Sequence, residues 1–372
     1  MNTPLIKTGA VVPDIRSVLL SGSTMIDVRA PIEFAHGTIP KSINIPLLED
    51  NEREEVGICF RHAGQQSAIN LGYQIVSGKT REQRIKAWCE QLIRDQNSIL
   101  FCARGGMRSK IAQDWIHNAG YSCSRVAGGF KAMRNCLLDT LHQFIKTGSI
   151  IILGGMTGTG KTKMLNYFVR AINLEHAANH KGSSFGRSFE EQPSQLNFEN
   201  CILLHLLNLV DLNPDLPIIF ENESRLIGSR QIPPTLFDKM NTSPIVIIKK
   251  SFEDRVSSLL HEYVIDRHRH TLTKYPDDGD YRFGSYLKDS LHRITKRLGG
   301  QRTKKISNLI DHALVTQDSN NYLDHRAWLA AILREYYDPM YNYQLNLKRD
   351  KVAFYGDFNA VQEWINFSIN GS

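Results

Sequence analysis

The sequence predicts an α/β protein of two domains, each built on a parallel β-sheet, with a mostly helical region at the C-terminal end of the second. Short apolar segments alternate with helix-prone segments along the chain, an order typical of parallel sheets. Two of the apolar segments lead directly into glycine-rich loops, at residues 102–109 and 154–162. The 372 residues are enough for two ordinary cores. We place the boundary so that the domains span residues 1–146 and 147–372.

Hydrophobic periodicity assigns the individual elements. In the first domain it predicts strands at 24–28, 42–46, 98–101 and 121–126, and helices around 111–116 and at 131–145. Residues 51–95 are charged and helix-prone and form an insertion. Gly120 is expected to cap the C-terminus of the helix around residues 111–116. In the second domain it predicts strands at 149–153, 216–220 and 244–249, a helix at 161–172, and mostly helix from residue 251 onward.

The composition is that of a soluble globular protein, with 41% hydrophobic and 22% charged residues. No signal peptide is expected in residues 1–16, and no apolar run is long enough to span a bilayer. The six cysteines form no CxxC pair, which argues against a disulfide framework and a zinc site and favours the cytoplasm. The net charge of +7 suggests a polyanionic partner.

The loop at residues 102–109 reads Cys-Ala-Arg-Gly-Gly-Met-Arg-Ser and follows a predicted strand. Backbone N–H groups of such a loop can surround a sulfur atom, and the N-terminus of the next helix adds positive potential. Together with Arg104 and Arg108, these features favour a nucleophilic thiolate at Cys102. The alternative is a buried strand cysteine beside a glycine turn, which two glycines and two arginines within six residues disfavour.

The loop at residues 154–162 contains a complete G-x4-G-K-T motif after an apolar strand. Gly155, Gly158 and Gly160 let backbone N–H groups approach phosphate oxygens. Lys161 supplies a positive charge, and Thr162 can ligate Mg²⁺. The sequence therefore predicts a phosphate- or diphosphate-binding site at this loop.

Two further segments are candidates for the same site. Glu221 and Glu223 stand at the end of the predicted strand 216–220, where either could hold a metal ion or a water molecule. The alternative is a solvated strand end. The basic, Gly/Ser-rich segment 180–187, which ends at Arg187, could close over an anion or form an ordinary exposed loop.

Residues 286–305 carry seven Lys or Arg residues and one Asp. The apolar residues of this stretch fall on one helical face, and the charges lie largely away from it. This pattern predicts contacts with the phosphate backbone of a nucleic acid, and a solvated helix face is the alternative. The candidate residues are Arg293, Lys296, Arg297, Arg302, Lys304 and Lys305.

Over residues 12–145 the chain resembles the rhodanese family. The resemblance rests on the cysteine loop and on residues 26–29, 33–34, 37–40 and 43–46. It implies a rhodanese fold in which Arg29 and Glu33 brace the core. The spacing from Cys102 to Arg108 is C-x5-R, longer than the C-x4-R of typical sulfurtransferases and similar to that of related phosphatases. The wider loop suggests that the donor is a phosphate ester of a chalcogen.

Nearly the whole chain resembles the bacterial tRNA 2-selenouridine synthases, in which a rhodanese domain is fused to a P-loop domain. The segments that carry this resemblance are 27–34, 102–109, 154–162, 180–187, 221–228 and 335–341. It implies two steps on a wobble 2-thiouridine of tRNA. Geranyl diphosphate first alkylates the sulfur, and selenium from selenophosphate then replaces the geranylthio group.

The resemblance also implies roles for the two loops. The P-loop would hold geranyl diphosphate, Cys102 would carry or orient selenium, and Arg104 and Arg108 would bind selenophosphate. The basic helices would grip the anticodon arm. No tightly bound cofactor is expected, and an enzyme that supplies selenophosphate is a candidate partner.

The residues by themselves leave two other functions open. One is an ATP-dependent RNA-modifying or kinase-like enzyme with a rhodanese domain as sulfur carrier. The other is a phosphatase-like or regulatory rhodanese module without an RNA substrate.

Overall fold

The computed structural model describes residues 9–318 and 321–370. Their contacts divide them into two compact units. Unit 1 contains the residues up to Lys146 together with residues 193–212, and unit 2 contains residues 147–192 and those from Asn213 onward. Each unit has a five-stranded sheet whose strands are all parallel. The predicted α/β class with parallel sheets is therefore confirmed.

The sheet of unit 1 has the strand order β1-β5-β4-β2-β3. Its strands are β1 (Val11–Val12), β2 (Met25–Asp27), β3 (Ser42–Asn44), β4 (Ile99–Phe101) and β5 (Ser124–Val126). Strand β4 is central, and Phe101 at its end pairs with Asp27 at the end of β2. Residues that follow β4 and β2 consequently meet at the carboxyl edge of the sheet, where sites in such sheets form.

Helices alternate with the strands of unit 1 along the chain. They are α1 (Ile15–Leu20), α2 (Pro31–His36), α3 (Asp50–Ile75), α4 (Gly78–Arg94), α5 (Met107–Asn118) and α6 (Gly129–Thr147). The predicted helical insertion thus consists of α3 and α4. It is tied to the sheet by the fully buried Trp88, whose indole N–H donates to the carbonyl of Ile45 at 2.9 Å.

One helix joins unit 1 from far along the sequence. This is α9 (Gln195–Leu212), whose side chains are apolar on most of its circumference, so it is suited to a buried position. Asn200 is fully buried and donates to the carbonyl of Thr38 at 2.7 Å, and Asn197 accepts from the N–H of Thr38 at the same distance. Sequence order alone would not place α9 beside the rhodanese-like sheet.

The sheet of unit 2 has the order β12-β11-β6-β8-β7. Its strands are β6 (Ile150–Gly155), β7 (Ala171–Ile172), β8 (Ile218–Glu221), β11 (Ile245–Ile248) and β12 (Val352–Gly356), and a separate hairpin pairs β9 (Leu226–Ile227) with β10 (Arg230–Gln231). Strand β6 is central. It leads into the glycine-rich loop at residues 154–162, which is called the P-loop below. Glu221 ends the neighbouring strand β8 and pairs with Leu153.

One sequence-based assignment in unit 2 is wrong, and one strand of unit 2 was not anticipated. The helix predicted over 161–172 ends after five residues as α7 (Lys161–Leu165), and Ala171–Ile172 is strand β7. There the pairing of β7 with β8 overrides local helix propensity, and Arg170 is held by the carbonyls of Asn213 and Leu216 at 2.8 and 2.9 Å. The region after residue 251 was expected to be mostly helical, but Val352–Gly356 returns to the sheet beside β11.

The rest of unit 2 is mostly helical, as predicted. The helices are α8 (Leu174–Ala177), α10 (Pro234–Thr242), α11 (Phe252–Leu259), α12 (Asp266–Lys274), α13 (Gly279–Leu298), α14 (Gly300–Thr316), α15 (His325–Ile332), α16 (Asp338–Asn346) and α17 (Phe358–Asn370), with a short 3₁₀ turn at Arg349–Lys351. π-Helical segments join α11 to α12 (Leu260–Ile265) and α15 to α16 (Leu333–Tyr337). Such segments are frequent at functional sites, and both of these lie beside the P-loop.

Candidate active sites of the two units

The cysteine loop of unit 1 leaves the central strand β4 and is tied to the start of α6. The carbonyl of Cys102 accepts from the N–H of Phe130 at 2.8 Å, and that of Ala103 accepts from Lys131 at 3.0 Å. Arg125 donates to the carbonyl of Gly105 at 2.8 Å. These bonds fix the loop backbone from three sides, so the position of the sulfur is set by the fold.

Two glycines make this arrangement possible. Gly105 has φ +61° and Gly129 has φ +57°, a region that favours glycine. A Cβ on Gly129 would lie 2.1 Å from the carbonyl oxygen of Cys102, and one on Gly105 would lie 2.4 Å from the backbone nitrogen of Gly128. The cysteine loop and the start of α6 therefore approach each other more closely than any side chain allows.

Replacing Gly129 with alanine is expected to destabilise unit 1 by clearly more than replacing Gly120. Gly120 also has positive φ and closes α5, but a Cβ there would meet open space. Gly120→Ala should cost about 1–2 kcal/mol for the left-handed backbone alone, whereas Gly129→Ala adds a backbone clash. Urea denaturation of both variants measures the difference. Equal losses of unfolding free energy would show that the loop can relax around the added methyl group.

The Cys102 side chain is only 3% exposed and lies at the N-terminal end of α5. Its Sγ is 3.3 Å from the hydroxyl oxygen of Ser109, in the first turn of that helix. Ser109 in turn donates to the carbonyl of Gly106 at 3.2 Å. The sulfur is therefore held next to a helix N-terminus, a place that favours a bound anion.

The two arginines predicted to bind an anion are placed differently. Arg108 forms a bidentate pair with Glu33, at 2.5 and 3.0 Å, and Arg53 of α3 approaches the same carboxylate at 3.2 Å. Burial alone would raise the pKa of Glu33, but the pairing with Arg108 outweighs it and holds that pKa below its usual value. Arg104 is exposed and has no pairing partner among the described residues. Arg108 is thus positioned and partly neutralised, and Arg104 is the freer charge.

Arg29 braces the same edge of the sheet, as the rhodanese resemblance implies. Its guanidinium pairs with the fully buried Asp27 at 2.6 Å, donates to the carbonyl of Gly37 at 2.8 Å and lies 4.2 Å from the ring centre of Phe130. Thr38 donates to the same oxygen of Asp27, Oδ2, at 3.1 Å. The buried charge of Asp27 is therefore fully compensated, as buried ion pairs require.

A groove of about 960 Å³ runs from Arg108 along α5 and the insertion helix α3. Most of its walls are apolar. They include Leu47, Val56, Phe60, Ile69, Tyr73, Met107, Ile111 and Trp115. The groove was not anticipated from the sequence, because it depends on how the insertion folds back against α5.

The P-loop of unit 2 has the glycine conformations that its motif requires. Gly155, Gly158 and Gly160 all have positive φ, and Gly160 caps the N-terminus of α7. The Lys161 ammonium donates to the carbonyl of Gly155 at 2.9 Å and so spans the loop. Thr162 lines the cleft in front of the loop. The predicted phosphate-binding residues are thus brought together around one cleft.

An ion pair with a buried guanidinium packs against the P-loop, and sequence reasoning missed it. Arg255 of α11 is 3% exposed and pairs bidentately with Asp338 of α16 at 2.7 and 2.6 Å. A Cβ on Gly158 would lie 2.9 Å from the carbonyl oxygen of Arg255, so the loop packs directly on this residue. No local sequence signal connects two residues 83 positions apart.

Removing the charge of Asp338 is expected to destabilise unit 2 strongly. Asp338→Asn leaves a buried guanidinium without its counter-charge, a change that costs about 3–5 kcal/mol. The control is Asp311→Asn, because the pair of Asp311 with Lys288 is exposed and should contribute about 1 kcal/mol or less. Urea unfolding measures both. If the two variants lost the same stability, the support assigned to Arg255 would be wrong.

Three carboxylates lie beside the P-loop: the two predicted from the sequence, Glu221 and Glu223, and a third, Glu175 of α8. Burial and their mutual repulsion raise the pKa of Glu175 and Glu221, and burial raises that of Glu223. The nearby Lys161 acts in the opposite direction on all three. The protein therefore supplies too little positive charge to balance the three carboxylates.

The segment 180–187 closes one side of the same cleft. Phe185 is buried between the rings of Tyr263 and Trp328, and Ser183 shares a hydrogen bond of 2.8 Å with the hydroxyl of Tyr263. Ser184 donates to the carbonyl of Ser290 at 2.6 Å. The segment is thus an ordered wall of the site. Arg187 at the end of this segment is exposed. Its role in binding an anion stays a prediction.

The cleft in front of the P-loop, about 760 Å³ in volume, is lined by two kinds of residue. The polar ones include the P-loop, Glu175, Glu223 and Lys181. The others are largely aromatic and aliphatic, with Phe237, Leu259, Tyr263, Tyr337, Met340, Tyr341 and Leu347. The cleft can therefore hold a molecule that joins a charged diphosphate to an apolar chain.

The six residues predicted to contact nucleic acid are not equally available. Arg293 donates to the carbonyl of Ser184, and Arg302 and Lys305 approach Glu335 at 3.7 and 3.2 Å. Lys296, Arg297 and Lys304 are exposed. The apolar stripe of the same stretch (Leu287, Leu291, Ile294 and Leu298) is buried, as predicted.

Comparison with known proteins assigns the chain to a family. The family model described as tRNA 2-selenouridine synthase AAA domain matches residues 148–370, and the Rhodanese-like domain model matches residues 17–136. A protein of Pseudomonas syringae pv. syringae named tRNA 2-selenouridine synthase is 42% identical over 354 residues, which are 95% of this chain and 96% of that protein. The chain belongs to the tRNA 2-selenouridine synthase family.

Other tRNA 2-selenouridine synthases show the same end-to-end similarity. That of Cupriavidus necator is 42% identical over 354 residues, covering 95% of this chain and 96% of that protein. That of Shewanella frigidimarina is 41% identical over 355 residues, covering 94% and 96%. The predicted family is therefore confirmed. In the described part of the chain no helix is both long and apolar enough to cross a membrane.

Proposed function

We propose that this protein converts 2-thiouridine in tRNA into 2-selenouridine, with S-geranyl-2-thiouridine as the intermediate. The observation that carries the proposal is the pairing of a cysteine anion loop with a complete P-loop, in a chain whose relatives are named tRNA 2-selenouridine synthases. Neither loop by itself would specify this chemistry. A selenium donor with a phosphate group and an alkyl donor with a diphosphate group require two separate anion sites.

In the first step the sulfur of 2-thiouridine attacks C1 of geranyl diphosphate. The C1–O bond breaks, its electron pair leaves with diphosphate, and the N3 proton of the base passes to solvent. Backbone N–H groups of the P-loop and the Lys161 ammonium would stabilise this developing charge. The geranyl chain would lie against the aromatic and aliphatic residues that line the cleft, among them Tyr337, Met340 and Leu347. The nucleophile comes from the RNA, so the protein need not supply one.

In the second step selenium from selenophosphate attacks C2 of the alkylated base, and geranylthiolate leaves. Water then cleaves the P–Se bond and releases phosphate. The helix N-terminus at Cys102 and the free charge of Arg104 would hold the phosphate group, and the Cys102 thiol would orient the selenium atom for its attack on C2. The apolar groove beside Arg108 would accommodate the ten-carbon chain of the intermediate.

Contacts with the tRNA backbone are proposed chiefly for Lys296, Arg297 and Lys304, the members of the predicted set that are exposed and have no partner in the described part of unit 2. Each phosphate contact of this kind releases bound counterions, so tRNA binding should weaken steeply with salt. Arg293, Arg302 and Lys305 already have partners within unit 2 and would contribute less.

The proposal is tested with purified protein and an anticodon stem-loop RNA that contains one 2-thiouridine. Geranyl diphosphate is added first and selenophosphate second, and nucleosides are analysed by mass spectrometry after each addition. S-Geranyl-2-thiouridine should appear after the first addition and 2-selenouridine after the second. The matched control is the same RNA with uridine at that position, which should remain unmodified.

An unchanged 2-thiouridine after both additions would contradict the proposal. ATP turnover measured on the same preparation then separates the alternative of an ATP-dependent RNA-modifying enzyme from that of a module without an RNA substrate.

A further inference from the structure

The carboxylates of three glutamates lie close together beside the P-loop. Glu221 ends strand β8, Glu223 follows it by two residues, and Glu175 comes from α8. Each offers one oxygen, and these oxygens all lie within 4.8 Å of one another. The sequence indicated Glu221 and Glu223 only, because Glu175 is brought to them by the fold.

A second observation points to a missing positive charge at this cluster. Glu221 is fully buried, and its Oε1 accepts from the N–H of Glu175 at 2.7 Å. Its Oε2 is also buried and has no hydrogen-bond partner in the described part of the chain. Lys161 is the nearby cation, but its ammonium already donates to the carbonyl of Gly155. A buried carboxylate oxygen without a partner is costly, so a ligand that supplies charge would stabilise it.

The backbone at Gly182 closes over the cluster. A Cβ on this residue would lie 2.7 Å from Oε2 of Glu223 and 2.8 Å from Oε1 of Glu175, and its φ is +26°. Glu175 and Glu223 line the P-loop cleft, whereas Glu221 is not among its lining residues. The cluster is therefore enclosed by the segment 180–187 and open towards the place where a diphosphate would bind.

We propose that Glu175, Glu221 and Glu223 form a binding site for a divalent cation, Mg²⁺, beside the P-loop. Carboxylate oxygens are the ligands that Mg²⁺ and Mn²⁺ prefer. Two oxygens on opposite sides of Mg²⁺ are about 4 Å apart, close to the spread of the cluster before any ion draws it together. The sequence had indicated Mg²⁺ at Thr162 and a metal ion or a water molecule at Glu221 and Glu223, and the fold adds Glu175 as a third carboxylate.

The role of this ion rests on the proposed function, whereas its binding does not. Three carboxylates beside the P-loop would repel a diphosphate. A bound cation removes that repulsion and adds a positive charge next to the leaving diphosphate. The ion would thus complete, with Lys161 and the P-loop N–H groups, the surroundings of the departing group.

Mn²⁺ titration of the full-length protein, followed by electron paramagnetic resonance, tests the site without tRNA or geranyl diphosphate. Wild-type protein should bind one Mn²⁺ per chain. Glu175→Gln, Glu221→Gln and Glu223→Gln should each weaken binding by at least about tenfold. Glu363→Gln, at an exposed acid of α17, is the matched control and should leave the affinity unchanged. Absent binding in wild type, or equal affinity in all variants, would overturn the proposal.

Thermal unfolding supplies a second readout that does not depend on catalysis. Mn²⁺ should raise the Tm of wild type but not that of Glu221→Gln or Glu223→Gln. Without the ion these variants should be at least as stable as wild type, because each removes a repelling charge. If both melted lower without the ion, the cluster would be a purely structural network. Normal Mn²⁺ binding with failed geranylation would contradict the proposed function and leave the cation site intact.

Discussion

Replacing Cys102 with alanine is expected to remove 2-selenouridine from tRNA while S-geranyl-2-thiouridine accumulates. The variant retains the P-loop of unit 2, so the proposed first step continues. It loses the only thiol at the centre of the cysteine loop, and the rate of selenium incorporation should fall about 100-fold or more, as on losing a group that acts in a transition state. Mass spectrometry of tRNA nucleosides from cells that carry the variant gene measures both nucleosides.

The matched control is Cys136→Ala. Cys136 is a half-buried cysteine of α6, in the same unit, two turns beyond the glycines that contact the loop. It should give the wild-type nucleoside profile. Normal 2-selenouridine in the Cys102 variant would show that the sulfur has no part in the transfer and that the loop only binds the donor.

Replacing Lys161 with alanine is expected to remove both modified nucleosides. Lys161 spans the P-loop, where the proposed diphosphate would bind, so its loss should slow geranylation by about 10²–10³-fold. Without the intermediate the second step has no substrate, although the cysteine loop is unchanged. The same nucleoside analysis therefore distinguishes the two variants, and the double variant should resemble Lys161→Ala alone.

Lys288→Ala serves as the control for charge removal in unit 2. Lys288 is exposed and pairs with Asp311, and it does not line the P-loop cleft. Its variant should keep both nucleosides at wild-type levels. If Lys161→Ala accumulated 2-selenouridine normally, the P-loop would not hold the alkyl donor, and nucleotide binding at that loop would become the next hypothesis.

The strongly patterned parts of the fold were predictable from the sequence. Apolar strands that lead into Cys102 and into the P-loop carry both a periodicity and a glycine-rich turn, and both strands are central in their sheets. Gly120 closes α5 as expected, because its position after the helix requires a left-handed backbone. The short segments were not predictable. Ala171–Ile172 and Val352–Gly356 are strands because each finds an edge to pair with, which no local pattern encodes.

The candidate sites also have a part that the sequence predicts and a part that only the fold creates. The sequence by itself determined the two loops, since the residue types that bind anions lie within eight or nine consecutive positions. It also determined the family, since the motifs occur along the whole chain. Tertiary structure alone decided which distant groups meet them: Glu33 at Arg108, Arg255 with Asp338 behind Gly158, and Glu175 beside Glu221. These contacts depend on the packing of elements that are separated by tens of residues, and side-chain pattern carries no information about such distances.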